Sequence, residues 1–285
     1  MTQEKEEIYV LKRDKGESAR LDEQHTFLVD VIGGSPIHAS ISKDRLFAVA
    51  DIATGTGIWL KHVSELLTKE VPSDRSRYYQ GFDISPAQFP ANAGDIHFSV
   101  QDVLEPFPPE HMNRYDLVHA RFLVGGIREA DYKTVVANLV ALLKPGGYIQ
   151  WVDFDVDALS QTKKDEYPRF SEIAKQTLGS AVRLGLSSSA PAVIYEASKE
   201  AGLVDVTRHE YSTLAQPQLH ERAQRWMLRV FRAVVPELLL RSGKVANEET
   251  ALRETDKLLK EIEGCFAAGV VPDARIGIVV GRKPE

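Results

Sequence analysis

The chain has 285 residues, 43% apolar and 27% charged, the balance of a globular protein rather than a disordered one. Lys and Arg number 35 against 41 Asp and Glu, a net charge of -6, which argues against a protein built to grip a phosphate backbone and leaves only a local basic patch open. The single cysteine, Cys265, rules out a disulfide framework or a cysteine-rich zinc site and fits a reducing compartment. The N-terminal run is too charged for a signal peptide and too acidic for a transit peptide, and no stretch of about 18 apolar residues marks a membrane span, so the expected compartment is the cytosol.

Residues 1–35 are polar and helix-prone. Within them Leu21 and Leu28 lie one heptad apart, and Arg20 and Gln24 share a helix face. Phe47–Ala53 predicts a short buried strand that runs into Thr54-Gly55-Thr56-Gly57, and the apolar spacing at 59, 60, 63, 66 and 67 predicts a helix directly after it. Further strands are expected at Tyr78–Ile84, Ile96–Val100 and Tyr115–Ala120. An amphipathic helix over 131–143 is stopped by Lys144-Pro-Gly-Gly147, and a fifth strand, Tyr148–Val152, ends in Asp153-Phe-Asp155-Val-Asp157. Strands alternating with helices predict an α/β protein with a parallel sheet covered on both faces. The remainder reads as helices over 165–186 and 190–202, a strand Val204–Ser212, helices over 218–242 and 247–263, and a last strand over 274–281.

The segment Asp51-Ile-Ala53-Thr54-Gly55-Thr-Gly57 carries the most chemistry. Its glycines permit a sharp turn and a close ligand approach, and the helix N-terminus behind them offers free N–H groups to an anion. A dinucleotide fingerprint fails because Leu60 stands where its third glycine belongs, and no Walker lysine is present. The segment instead resembles the D-x-A-x-G-x-G motif of class I S-adenosylmethionine-dependent methyltransferases. That resemblance implies S-adenosyl-L-methionine as cofactor, with Asp83 accepting from the ribose hydroxyls beside Ile84, and Asp102 and Val103 meeting the adenine. Either acid also reads as a turn or capping residue. Tyr115–Arg121 and Leu142–Tyr148 resemble the family's fourth-strand motif and the turn before its fifth strand. The resemblance covers 17–155 by motif and the rest by strand count. It implies a Rossmann-like, seven-stranded, mostly parallel sheet with an antiparallel last strand. The expected division is a helical lid at 1–45, a cofactor-binding core at 46–215, a helical acceptor-side insertion at 216–270 and the last strand at 271–285.

A narrower resemblance rests on Glu17-Ser-Ala-Arg20-Leu-Asp-Glu-Gln24-His25, His119-Ala-Arg121 and Leu143–Trp151. These are similar to fungal secondary-metabolite methyltransferases, a group holding both tailoring enzymes and global-regulator-like proteins. Within it, the length and ends are similar to the O-methyltransferases of the glandicoline, meleagrin and oxaline alkaloid pathway. The acceptor atom this implies is an enol or N-hydroxyl oxygen of an indole alkaloid. The alternatives are a regulator acting through a protein partner, or N- or S-methylation of another metabolite.

Methyl transfer is an in-line displacement that needs alignment above all, with a general base where the acceptor is not already acidic. Arg121 and the acids 153, 155 and 157 lie beyond the strand ends, where open sheets bind ligands. Strand alternation, if the strand continues, puts the three acids on one side. Asp155 is the expected base or orienting acid, and His25 on the lid helix is the second candidate. Arg121, Asp153, Trp226 and Phe231 are expected to face the acceptor, and Arg20, Gln24 and His119 the cofactor. Each has a plain structural alternative: a solvated acid, a salt bridge, a core histidine or a core aromatic. No metal, nucleic-acid or membrane partner is expected, and the long C-terminal helices leave a homodimer open.

Overall fold

The computed structural model describes residues 13–162 and 165–285, so the first 12 residues of the expected lid lie outside it. Helix α1 (Lys15–Val31) starts where Asp14 caps the Glu17 N–H at 2.9 Å and ends at Gly33 and Gly34, both with positive φ. Then follow β1 (Ala48–Ile52), α2 (Ile58–Glu70), β2 (Tyr78–Asp83), β3 (Ile96–Val100), β4 (Tyr115–Arg121), α3 (Tyr132–Leu142) and β5 (Leu143–Phe154). The second half contains α4 (Val156–Gln161), α5 (Pro168–Arg183), α6 (Ala190–Glu200), β6 (Val204–Tyr211), α7 (His220–Arg241), α8 (Glu248–Ala267) and β7 (Ile276–Arg282).

The seven strands form one sheet in the order β3-β2-β1-β4-β5-β7-β6. The first five are mutually parallel, and β7 runs antiparallel between β5 and β6. The chain moves outward from β1 through β2 to β3 and returns to β4 on the other side. Order therefore reverses between β1 and β4, and a crevice opens there past the strand ends.

Strand alternation sorts side chains to the two faces. Val49 and Leu117 pack with Phe27 and Leu28 of α1 and Trp59, Leu60 and Val63 of α2. Ala50, Ile52 and Val118 face Val135 and Leu139 of α3 and Ile194 of α6. A separate cluster joins α5, α7 and α8 through Phe170, Ile173, Met227 and Ile262. Among the described residues no helix is long and apolar enough to cross a membrane.

Two local expectations need correction. Lys144-Pro-Gly-Gly147 is not a free turn: β5 begins at Leu143, and Tyr115 pairs with Leu143 while Leu117 pairs with Tyr148. The four residues bulge opposite Asp116, which anchors the Lys144 ammonium at 2.7 Å. Nor does β5 continue through Asp157. Its pairing with β7 stops at Phe154, the Asp155 N–H donates to the Arg275 carbonyl at 3.0 Å, and the chain turns into the unforeseen α4. The three acids therefore do not share one side of a strand.

Candidate active site

The loop between β1 and α2 is built on positive φ at Ala53, Gly55 and Gly57. The Thr54 N–H donates to the Phe82 carbonyl at 3.0 Å and the Gly57 N–H to the Thr54 carbonyl at 2.9 Å. Gly57 is set by sterics as well as by its φ of 73°, since a Cβ there would lie 2.6 Å from the Phe98 ring. It packs on β3 rather than on the crevice.

Beneath the loop, Asp51 is a brace. One carboxylate oxygen accepts from the Thr54 hydroxyl at 2.7 Å, the other from Nδ1 of His119 at 2.7 Å on the neighbouring strand. The His119 ring is wholly buried and stacked on Trp59 at 3.8 Å. Burial holds it below the ordinary imidazole range even against the Asp51 charge, so it is neutral, with Nδ1–H donating and Nε2 carrying the lone pair. Among the described residues that Nε2 has no partner. Asp51 and His119 thus sit one layer below the cavity wall.

Asp83, at the end of β2, accepts from the Gly55 N–H at 2.9 Å and the Ser85 N–H at 3.2 Å. Burial raises its carboxyl above the usual range, and these two N–H groups pull it back. Its remaining lone pairs open on the crevice. Next to it, Ile84, Val103 and Leu104 form an apolar slot whose rim carries Asp102, a carboxylate fixed by the Leu104 N–H at 2.9 Å. An acid for a diol and an apolar slot for a flat base fit the adenosine half of S-adenosyl-L-methionine.

Helix α1 closes the crevice from above. Arg20 is paired with the buried Glu17 through Nε at 2.8 Å and Nη2 at 2.5 Å, and its Nη1 donates to Oε1 of Gln24 at 2.7 Å. The same oxygen accepts from Nε1 of Trp226 on α7 at 3.0 Å. Ion pairs Arg222–Asp30 and Arg229–Glu23 tie the two helices further.

The crevice continues into one cavity of about 1400 Å³. Ligand pockets commonly span roughly 300–1,000 Å³, so there is room for a cofactor and a second molecule. Its far half is walled by Leu159, Leu178, Val230, Phe231, Val234 and Leu238. Arg20, Gln24, Ala53, Thr54, Gly55, Asp83, Ile84, Asp102 and Val103 line the cofactor half, and Arg121, Trp226 and Phe231 also reach the wall.

The expected bases do not reach it. His25 has both ring nitrogens engaged: Nδ1 accepts from Arg121 at 2.9 Å, and Nε2 meets Nδ1 of His62 at 3.0 Å. Burial and the Arg121 charge push it down to about 3, so at neutral pH it holds Arg121 and takes no proton. Asp153 turns to the opposite face, fully buried, where it accepts from Trp151 Nε1 at 3.2 Å and the Phe154 N–H at 2.9 Å. Burial raises it to about 7. Asp155 lies where the backbone leaves the sheet beside Arg275, outside the cavity lining. Phe154, between them, faces the cavity instead.

Sequence reasoning missed Gln88, Gln101 and Thr177 on the wall, and the run Phe122-Leu123-Val124 beyond Arg121. The φ of 54° at Phe122 turns that run into the cavity and carries no sequence signal. Among the described residues no three His, Cys, Asp or Glu side chains are grouped as a metal site.

Comparison with known proteins agrees with this geometry. Residues 50–149 match a family model described as a methyltransferase domain. The chain is 32% identical over 264 residues to the methyltransferase grgD of a Penicillium species, covering 90% of this chain and 91% of that protein. It is 32% identical over 190 residues to the N-methyltransferase sirN of Leptosphaeria maculans, covering 64% of this chain and 63% of that one. A solved complex of the Haloferax volcanii Trm112 methyltransferase activator with a methyltransferase contains a similar fold, with a TM-score of 0.51, 16% identity and 96% of each chain covered. The chain belongs to the class I methyltransferases, and its cofactor is S-adenosyl-L-methionine.

Proposed function

We propose that this enzyme methylates an indole-alkaloid-type fungal small molecule, at an enol or N-hydroxyl oxygen. The observation that carries the reading is the continuity of the cofactor crevice with a large apolar chamber roofed by α5 and α7. A nitrogen acceptor is the second reading, favoured by relatives such as sirN and gliN, which are named N-methyltransferases.

When bound, S-adenosyl-L-methionine supplies an electrophilic methyl whose leaving group needs no acid. The chain's own residues align it. Asp83 holds the ribose, Ile84 and Val103 flank the base, and Arg20 with Gln24 meets the methionine end. Trp226 and Phe231 form apolar wall around the reacting atoms and exclude water there. Proximity of this kind accounts for a large share of such a barrier.

The test is calorimetric titration with S-adenosylmethionine, S-adenosylhomocysteine and NAD, followed by a screen of indole alkaloids bearing free enol, N-hydroxyl or N–H groups. Micromolar binding of the first two and turnover of an oxygen acceptor is expected. Turnover of nitrogen acceptors alone selects the second reading, and binding of neither cofactor form removes both.

A further inference from the structure

We propose that the acceptor enters this site as a lipophilic acid and is methylated as its anion, with Arg121 holding the charged atom. This rests on the methyl-transfer reading above.

The first observation is what the walls lack. Among the described residues lining the cavity there is no His, Lys, Glu, Tyr or Cys. The acids present are Asp83, held by the Gly55 and Ser85 amides, Asp102, held by the Leu104 amide, and Asp131, at the start of α3 next to Arg128. None stands at the tip of β4 or β5. An acceptor that needed a protein base would find none at those tips among the described residues.

The second observation is the state of Arg121. Four guanidinium groups line the cavity: Arg13, whose charge acts on Asp83, Arg128, which is exposed to solvent, and the more enclosed Arg20 and Arg121. Arg20 is neutralised by Glu17 through two hydrogen bonds. Arg121 makes one hydrogen bond, to neutral His25, and no ion pair among the described residues. The groups that face it are Asp51 from β1, Asp22 and His25 from α1, and His119 from β4, with His62 of α2 behind His25. Asp51 is spent on Thr54 and His119, and Asp22 accepts from the Thr56 hydroxyl at 2.7 Å. The guanidinium stays charged, because burial lowers it only from a very high starting value.

A partly buried cation without a bound counter-charge favours an anion as its partner. A protonated amine is repelled by the same charge. The His25–His62 pair fixes the fork from behind, and the turn at Phe122 sends the next three residues onto the apolar wall. An acceptor with a hydrophobic body and one acidic group satisfies both. Its proton leaves to solvent. Its lone pair then forms the bond to the methyl carbon, the carbon–sulfur bond breaks with its pair going to sulfur, and both charges vanish together. The methylated product is neutral, so Arg121 no longer retains it.

The test uses 7-hydroxycoumarin, a phenol whose anion absorbs at longer wavelength than its neutral form, bound in the presence of saturating S-adenosylhomocysteine. An opposite charge at contact distance lowers an acid's pKa by about one to three units. The bound coumarin is expected to ionise at least one pH unit lower than free coumarin. Arg121→Gln abolishes that shift and Arg121→Lys retains most of it, while both variants bind S-adenosylhomocysteine within about threefold of the parent, which also reports that they are folded. A bound coumarin whose ionisation is unchanged or raised overturns the proposal, as does a chamber that takes up no coumarin. So does an Arg121→Gln variant that loses S-adenosylhomocysteine tenfold but keeps 5′-methylthioadenosine, because Arg121 would then serve the cofactor's carboxylate. A parent protein that binds neither nucleoside is a different failure, that of the methyl-transfer reading itself.

Discussion

Replacing Asp83 with Asn separates binding from folding at one position. The carboxylate is buried behind the loop and raised by that burial, so the folded protein bears a cost for keeping it charged. Asn is isosteric and uncharged. Its Oδ1 can still accept from the Gly55 N–H, 2.9 Å away in the parent, but its Nδ2 then meets the Ser85 N–H side, where the parent has an acceptor. One weak bond at 3.2 Å and the attraction of Arg13 are lost while the desolvation of a charge is relieved, so the melting temperature of the ligand-free protein is expected to stay level. Binding moves the other way. Hydrogen bonds from a diol to a carboxylate are worth about 1.5 kcal/mol or more each, and replacing the pair costs about 3 kcal/mol, roughly a hundredfold in Kd. Titration calorimetry with S-adenosylhomocysteine and 5′-methylthioadenosine checks this. Both share the ribose, so both must weaken by the same factor. Retention of either within threefold in a folded variant would refute the assignment of Asp83 to the ribose.

The remaining expectations bear on the loop, the pH dependence and the lid. Gly57→Ala pays for a left-handed alanine, about 1–2 kcal/mol, and drives a methyl against the Phe98 ring, which is itself confined by Gly81 and Phe89; a total loss of about 3 kcal/mol is expected in urea unfolding, and a loss under 1 kcal/mol contradicts the geometry. Asp153 moves from the ordinary 3.8 to about 7 on folding. The stability it contributes is therefore present below about pH 4 and is lost as pH rises through about 7, on the order of 4 kcal/mol in all. Asp153→Asn removes this component, so the gap in melting temperature between variant and parent should shift in the variant's favour from pH 4 to pH 8; a constant gap would mean the carboxyl is not held high. Trp226→Phe keeps the ring but deletes the bond to Gln24, which retains Arg20. Gln24 and Arg20 are assigned to the methionine end, so S-adenosylhomocysteine should weaken about fivefold, the equivalent of one hydrogen bond, while 5′-methylthioadenosine, which lacks that end, stays within about twofold. An equal loss of both nucleosides would remove Gln24 and Arg20 from the methionine end.

The cofactor half was legible because each of its parts is local. A buried apolar strand, two glycines and a helical period lie within 47–67, and an acid closes each of the next two strands. The acceptor half was not, because its signals depend on partners far along the chain. The two contacts that fill the His25 ring come from residues 37 and 96 positions away, and no local pattern announces either. The Asp153–Asp157 run alternates acid and apolar like a strand, yet strand pairing with β7 ends at Ile276, a single bond reaches Arg275, and the backbone turns into α4. At Lys144–Gly147 the residues read as a stop signal, and the turn chemistry is present, but sheet pairing on either side absorbs it as a bulge. On α7 the apolar spacing announced a buried face without telling packed core from cavity wall: Met227 is core, Val230 and Val234 line the chamber.

The position of the helical roof in the chain has a consequence for how such enzymes diversify. Tyr211 at the end of β6 and Ile276 at the start of β7 are register partners, so the intervening segment leaves the sheet and rejoins it at neighbouring points. Antiparallel partners lie only about 5 Å apart, and a segment tethered at both ends across so short a gap can change length, tilt or composition without shifting a strand. The loops that cradle the methyl donor are at the other end of the chain order and share no residue with it. Such a layout behaves as a socket with an exchangeable cover: grafting the 212–275 segment of another fungal relative onto this sheet is expected to change acceptor preference, α5 contributing the rest of the roof, and to keep nucleoside affinity where the grafted residue at 226 still meets Gln24.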